Sequence, residues 1–148
     1  MKAHIIAVLG YLLASLVVHG QTLTWVQWPQ AQGGSGHYYA IYPNTGTWEN
    51  AYQTALSMGA YLATLASASE ENWIKTTFGT QVNSLWIELT DSEAYEGTES
   101  YQFGWPDRQW RGWVWLEPTG PVPLSASSYR NWDTSYYEPN NADSGEDF

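Results

Sequence analysis

Apolar and polar positions change rhythm along the chain, and each change marks an element. Ile5 to Val18 is almost wholly apolar. Gln21 to Gly36 is polar, carries Trp25 and Trp28, and breaks at Gly33-Gly34-Ser35-Gly36, which predicts a leader strand or linker. His37 to Tyr42 is rich in strand formers and ends at the turn Pro43-Asn44-Thr45-Gly46. From Thr47 the period lengthens. Trp48, Ala51, Tyr52, Ala55, Leu56 and Met58 recur at helical spacing and Gly59 follows as a stop, predicting an amphipathic helix. Leu62-Ala63-Thr64-Leu65 leads to a second helix. Its start, Ser67-Ala68-Ser69-Glu70, has capping-box spacing, so Ser67 and Glu70 are expected to satisfy two orphan N–H groups reciprocally. Trp73, Ile74 and Phe78 supply its buried stripe, and Gly79 ends it. Beyond Gly79 no helical pattern appears. Leu85 to Leu89 and Trp113 to Leu116 predict short strands among Gly, Pro, Asn, Asp and Ser. Helices first, then strands and long loops, predict an α+β fold.

The first twenty residues read as an address. Lys2 supplies one positive charge, the apolar run follows, and Val18 and Gly20 suit a signal-peptidase site before Gln21. The run falls short of the ~20 apolar residues that a membrane-spanning helix needs. Residues 1–20 are therefore expected to be a secretory signal peptide, leaving a secreted chain with no membrane segment after cleavage. Removing 20 of the 148 residues leaves 128, enough for one domain with a single core. The same cut removes Lys2, His4 and His19, so His37 remains as the lone histidine.

Composition narrows the chemistry. With 15 acidic against 5 basic side chains and a charge of -10, the chain is a poor partner for nucleic acid, whose phosphates call for clustered Lys and Arg. No cysteine is present, which removes disulfides, thiolate metal sites and Cys nucleophiles together. A zinc site of His and Cys is equally out of reach. Aromatics at 16% and apolar residues at 43% argue against disorder. Export would place the domain where calcium is plentiful, an ion that carboxylates and amide oxygens suit.

The densest polar cluster runs from Glu138 to Asp147: Glu138-Pro139-Asn140-Asn141-Ala142-Asp143-Ser144-Gly145-Glu146-Asp147. Four carboxylates and two amides stand there with no positive charge, and a bound hard cation would relieve their repulsion. A solvated acidic tail has the same composition, so both readings stand on composition alone. The spacing does not fit an EF-hand.

The order of the pieces says more than any one of them. Along the chain come Trp48-Glu49-Asn50-Ala51, Met58-Gly59-Ala60-Tyr61-Leu62-Ala63, Glu70-Glu71-Asn72, Leu85-Trp86-Ile87-Glu88-Leu89-Thr90-Asp91 and Glu96-Gly97. Trp113-Val114-Trp115, Asn131-Trp132, Glu138-Pro139-Asn140-Asn141 and Gly145-Glu146-Asp147 follow. This succession, over residues 37–148, resembles the C-type lectin-like domain. The resemblance implies two helices, small antiparallel sheets and a long loop region that carries calcium. In sugar-binding members the E-P-N motif and the following E-D hold the principal ion, which corresponds here to Glu138, Asn140 and Glu146 for both metal and carbohydrate. A second calcium would correspond to Asp91, Glu96, Asn141, Glu146 and Asp147, weakened because Asn141 stands where a carboxylate is often found. The resemblance also implies a cis bond between Glu138 and Pro139, and a preference for mannose-type sugars.

Several departures accompany the resemblance. Ala55 and Phe148 stand at cysteine positions of the family. Gly97 to Trp113 is longer than usual and adds Trp105, Trp110, Arg108 and Arg111, either as an exposed binding loop or as an extra hairpin packed on the core. The sequence stops at Phe148, before the family's W-N-D segment and last strands, so a fragmentary gene product with an incomplete calcium site is the expectation. Trp48, Trp86 and Trp132 are expected in the core and His37 in a strand without chemistry. Tyr136 and Tyr137 either stack on a sugar or simply pack.

The function expected is a secreted, calcium-dependent, carbohydrate-binding module that makes and breaks no bond. The alternative is a protein-binding or structural domain of the same fold, acting through the Trp- and Arg-bearing loop 98–112. A glycoside hydrolase is the least expected reading, because no cleft-forming barrel or repeat fits 128 residues of this pattern.

Overall fold

The computed structural model describes residues 3–8, 17–18, 21–43, 46–82, 85–132 and 139. It is a mixed α/β structure with two helices and small, mostly antiparallel sheets. The chain falls into two units, Met1–Ile87 and Glu88–Phe148.

The first unit holds β1 (Ala3–Val8), β2 (Val17–Val18), β3 (Gln21–Thr22), β4 (Val26–Gln27), β5 (Tyr38–Tyr42), β6 (Tyr61–Leu62) and β7 (Leu85–Trp86). Helix α1 (Trp48–Ser57) lies between β5 and β6 in sequence, and α2 (Ala68–Phe78) between β6 and β7. The main sheet runs β4-β5-β1-β6, with β7 added in parallel to β1. β2 and β3 form a separate two-stranded ladder. The apolar N-terminal run thus contributes a strand, and the stretch expected as a leader strand or linker contributes β3 and β4.

Both helix starts follow their sequence signals. Thr47 caps α1 by accepting from the Asn50 N–H, and Ser67 caps α2 by accepting from the Glu70 N–H at 3.1 Å. Both helices end at glycines with positive φ, Gly59 and Gly79. The buried face of α1 is Trp48, Ala51, Ala55 and Met58, whereas Leu56 is 46% exposed. Leu56 lies about 80° round the helix from Trp48, at the margin of the stripe.

The capping box closes only halfway. Glu70 is 6% exposed. Its Oε2 accepts from the Ala66 N–H at 2.9 Å, and its Oε1 accepts from the Tyr39 hydroxyl at 2.5 Å. The side chain therefore bolts α2 to β5 while its second oxygen takes the Ala66 N–H in place of that of Ser67. Burial, and then the Glu70 partner, push the Tyr39 hydroxyl well above its ordinary pKa.

Around this bolt Trp28, Tyr39, Tyr61, Ala63, Ile74 and Phe78 form the core. Trp73 packs against Trp28, Tyr39 and Phe78 with ring centroids 5.3–6.1 Å apart. Gly34 makes room for Trp28, since a Cβ there would lie 2.5 Å from the indole Cγ. Trp48 is 1% exposed and donates from Nε1 to the Ile87 carbonyl at 2.8 Å. Trp86 is half-buried and donates to the Gly46 carbonyl.

The second unit is built on β8 (Leu89–Thr90), β9 (Val114–Glu117) and β10 (Gly120–Pro123), antiparallel in the order β10-β9-β8. The expected strand Leu85 to Leu89 is in fact two strands of two different sheets, parted by a bend at Glu88. β10 contains Pro121 and Pro123 and lies on the sheet edge, where missing N–H donors cost little. Leu89, Trp113, Val114, Leu116 and Leu124 are buried apolar residues of this unit.

Candidate functional site

A closed loop follows β8 in the second unit. Thr90 is fully buried and its Oγ1 accepts from the Ser92 N–H at 3.1 Å. The Ser92 carbonyl accepts from the N–H groups of Tyr95 and Gly97, and Glu96 takes the left-handed conformation with φ 66°. Asp91 is 2% exposed and its Oδ2 accepts from the Ser100 N–H at 2.8 Å. Gly97 closes the loop so tightly that a Cβ would lie 2.4 Å from the Asp91 carbonyl carbon. The segment beyond is stitched to the approach to β9 by the Thr98 N–H, which donates to the Gly112 carbonyl at 2.9 Å. Gly112 leaves no space either, its Cβ position being 1.9 Å from the Thr98 oxygen. The spacing T-D…E-G thus has a steric reason: only glycine permits the turn that seats Asp91.

Of the residues expected to hold calcium, Asp91 and Glu96 share this loop, Asp91 buried and Glu96 exposed at its corner. Glu138, Asn140, Asn141, Glu146 and Asp147 lie outside the described residues, as do Tyr136 and Tyr137 and the bond from Glu138 to Pro139. Pro139 itself is buried. Among the described residues no group of three His, Cys, Asp or Glu side chains is placed to hold a metal. The expected donors are all oxygens, which fits a hard cation such as calcium. An ion at Asp91 would share the carboxylate with the Ser100 amide.

Glu88 escaped the reading of the sequence. It is 0% exposed, and both carboxylate oxygens lack a hydrogen-bond partner among the described residues. Burial, and then the negative charge of Glu117, push its carboxyl up to about 9, so it is neutral at pH 7. Charge counting would have hinted at this: Glu88, Asp91, Glu93, Glu96, Glu99 and Asp107 stand in a stretch with no Lys or Arg between Lys75 and Arg108.

The long insertion between Gly97 and Trp113 is not a hairpin. It winds through short 3-10 turns at Ser100–Gln102 and Asp107–Gln109, and its Trp105-Pro106 bond is cis. Arg108 lies over the Trp105 ring at 4.8 Å, and Arg111 over the Phe103 ring at 4.2 Å. Trp105 remains 43% exposed. Trp113 is buried with its ring 4.9 Å from that of Trp132, whose Nε1 donates to the Gln109 carbonyl at 2.8 Å. Trp132 is thereby a packing residue. His37, expected without chemistry, precedes β5, and its carbonyl accepts from the Trp28 N–H.

A cavity of about 610 Å³ lies in the first unit, lined by Leu23, Val26, Ile41, Thr77, Phe78 and Gln81 among others. It contains no residue of the expected calcium or sugar sites. Among the described residues, no helix is long and apolar enough to cross a membrane. Set against family models, curated proteins and solved structures, the chain matches none of them.

Proposed function

We propose that the chain is a secreted C-type lectin-like module that binds mannose-type sugars through calcium. The observation that carries the reading is the Asp91 loop. A buried carboxylate is held in a glycine-closed turn within an acidic, cation-free stretch, at the place in the motif order where the family carries calcium ligands. Two helices preceding a small antiparallel sheet support the same reading.

Glu138, Asn140 and Glu146 would hold the principal ion, and Asp91, Glu96, Asn141 and Asp147 would contribute, with Glu146, to a second. Bound calcium would offer coordination positions to a pair of neighbouring sugar hydroxyls. The Asn140 amide then donates to one hydroxyl oxygen while the Glu138 carboxylate accepts a proton from the other. That pattern of donor and acceptor is the selective element. Exchanging it, with Glu138→Gln and Asn140→Asp together in the natural gene product, is expected to move preference from mannose to galactose in a glycan-array comparison. An unchanged preference overturns the assignment of those two residues.

The second reading, a protein-binding domain that uses no sugar, is favoured by one feature: the exposed Trp105 ring capped by Arg108. Trp and Arg are common interface anchors. Under that reading Trp105→Ala weakens partner binding and a calcium chelator leaves it untouched. Under the first reading the chelator abolishes binding.

A further inference from the structure

In the first unit β4 runs beside β5 for two residues only, Val26 opposite Tyr39 and Gln27 opposite Tyr38. Before Val26 the chain parts from β5, and Thr22 pairs instead with Val17. The wedge between the parted segments, flanked by the end of α2 and the turn Gly79–Val82, is the cavity of about 610 Å³. That volume lies within the roughly 300–1,000 Å³ of small-molecule sites. Its lining sorts by polarity. Leu23 and Phe78 are buried and Val26 and Ile41 half-buried, which makes the interior apolar. The exposed members Thr22, Thr24, Thr77 and Gln81, with Pro43 beside them, give a rim of hydroxyls and one amide that both donate and accept. Although the chain carries a charge of -10, no charged side chain stands among the described lining residues. Nor is the rim an apolar face in want of a cover: Leu56, Trp105 and Val122, the exposed large apolar side chains among the described residues, are not part of it.

We infer that this cavity is a binding site for a small uncharged amphiphile, an aliphatic or alicyclic body ending in a hydroxyl or carbonyl group. The body displaces water from Leu23, Val26, Ile41 and Phe78, which supplies the driving force. The head group exchanges hydrogen bonds with the threonine hydroxyls and the Gln81 amide at the rim. Charge is the discriminating property. An ionised head drawn out of water here meets no opposite charge, and an unpaired ion costs far more to bury than a hydroxyl does. A saccharide fits poorly, since its hydroxyls run all round the ring and the apolar interior leaves them unpaired. The site thus stands apart from the calcium-dependent sugar reading, none of whose residues lines it.

The test titrates the natural gene product at neutral pH with 1-octanol, octanoate and octylammonium, which share one apolar chain and differ in the charge of the head. Calorimetry is expected to show saturable one-to-one binding of 1-octanol, unchanged by a calcium chelator. Octanoate and octylammonium are expected to bind at least ~10-fold more weakly, each bringing an unpaired charge to the cavity. Val26→Phe fills part of the interior and is expected to weaken 1-octanol at least ~5-fold. Thr77→Lys sits in the last turn of α2, where a cation suits the helix end, and gives octanoate a counter-charge at the rim. It is expected to narrow the gap between octanoate and 1-octanol by about 3-fold, a gain that a misfolded variant does not produce. Three results overturn the inference. One is the absence of saturable 1-octanol binding, which is also what a cavity filled by another part of the same chain gives. Another is equal binding of all three amphiphiles. The last is 1-octanol binding that Val26→Phe leaves unchanged together with an octanoate gap that Thr77→Lys leaves unchanged.

Discussion

Glu88 is expected to make the protein less stable as pH rises through neutrality. Its carboxyl is fully buried with both oxygens unpaired among the described residues, and its pKa is pushed up from 4.5 to about 9. In the unfolded chain the group ionises near its ordinary value, so between the two pKa values the folded state holds a proton that the unfolded state has released. Stability therefore falls with rising pH across that window, by about 1.4 kcal/mol per pH unit. Below the lower value both states are protonated and the cost vanishes; above the upper value both are ionised and the cost is constant. At pH 7 the chain stands about 2.5 units into the window, which sets the cost at about 3 kcal/mol, a large share of a small domain's stability of roughly 5–15 kcal/mol. Glu88→Gln keeps the shape and removes the titration. Urea unfolding of both proteins from pH 5 to pH 8 checks the reasoning. The two should be close at pH 5 and separate steadily, the glutamine form ahead by about 3 kcal/mol at pH 7. Stability curves that stay parallel over that range refute the assignment.

Other predictions follow from single contacts. Gly97→Ala forces a Cβ against the Asp91 carbonyl and is expected to cost about 1–3 kcal/mol, while Gly104→Ala, with nothing within 4 Å, should cost no more than about 0.5 kcal/mol; urea midpoints compare them. Tyr39→Phe removes the hydroxyl bonded to buried Glu70 and should cost about 1.5–3 kcal/mol. Lys75→Ala, which breaks only the exposed pair with Glu71, should cost less than about 1 kcal/mol, so equal losses would contradict the argument.

The parts legible in the sequence are those governed by neighbours a few residues apart. Thr47, Gly59, Ser67 and Gly79 bound both helices, because caps and stops act within one turn. What escaped depends on distant partners. Glu70 has the spacing of a reciprocal cap, yet its carboxylate turns to Tyr39, 31 positions away, a contact that local spacing does not encode. Trp28 lies in polar surroundings and still enters the core, and the glycine run at 33–36, whose Gly34 makes room for its ring, is the one nearby sign. β10 was missed because two prolines read as loop until a sheet edge accommodates them. The apolar run at the N-terminus suits both an export leader and a buried strand, and hydropathy alone does not separate the two. Of the expected site, Asp91 and Glu96 fall on one tight loop, whose glycine has a visible steric reason. The residues from Glu138 onward, apart from Pro139, rest on motif order because only Pro139 among them is described.

The most direct test is retention of the natural gene product on immobilised mannose in excess calcium, followed by a wash with a calcium chelator. The account predicts retention in calcium and release by the chelator, both lost in Glu138→Gln. Failure to be retained in saturating calcium, or retention that the chelator leaves intact, contradicts it.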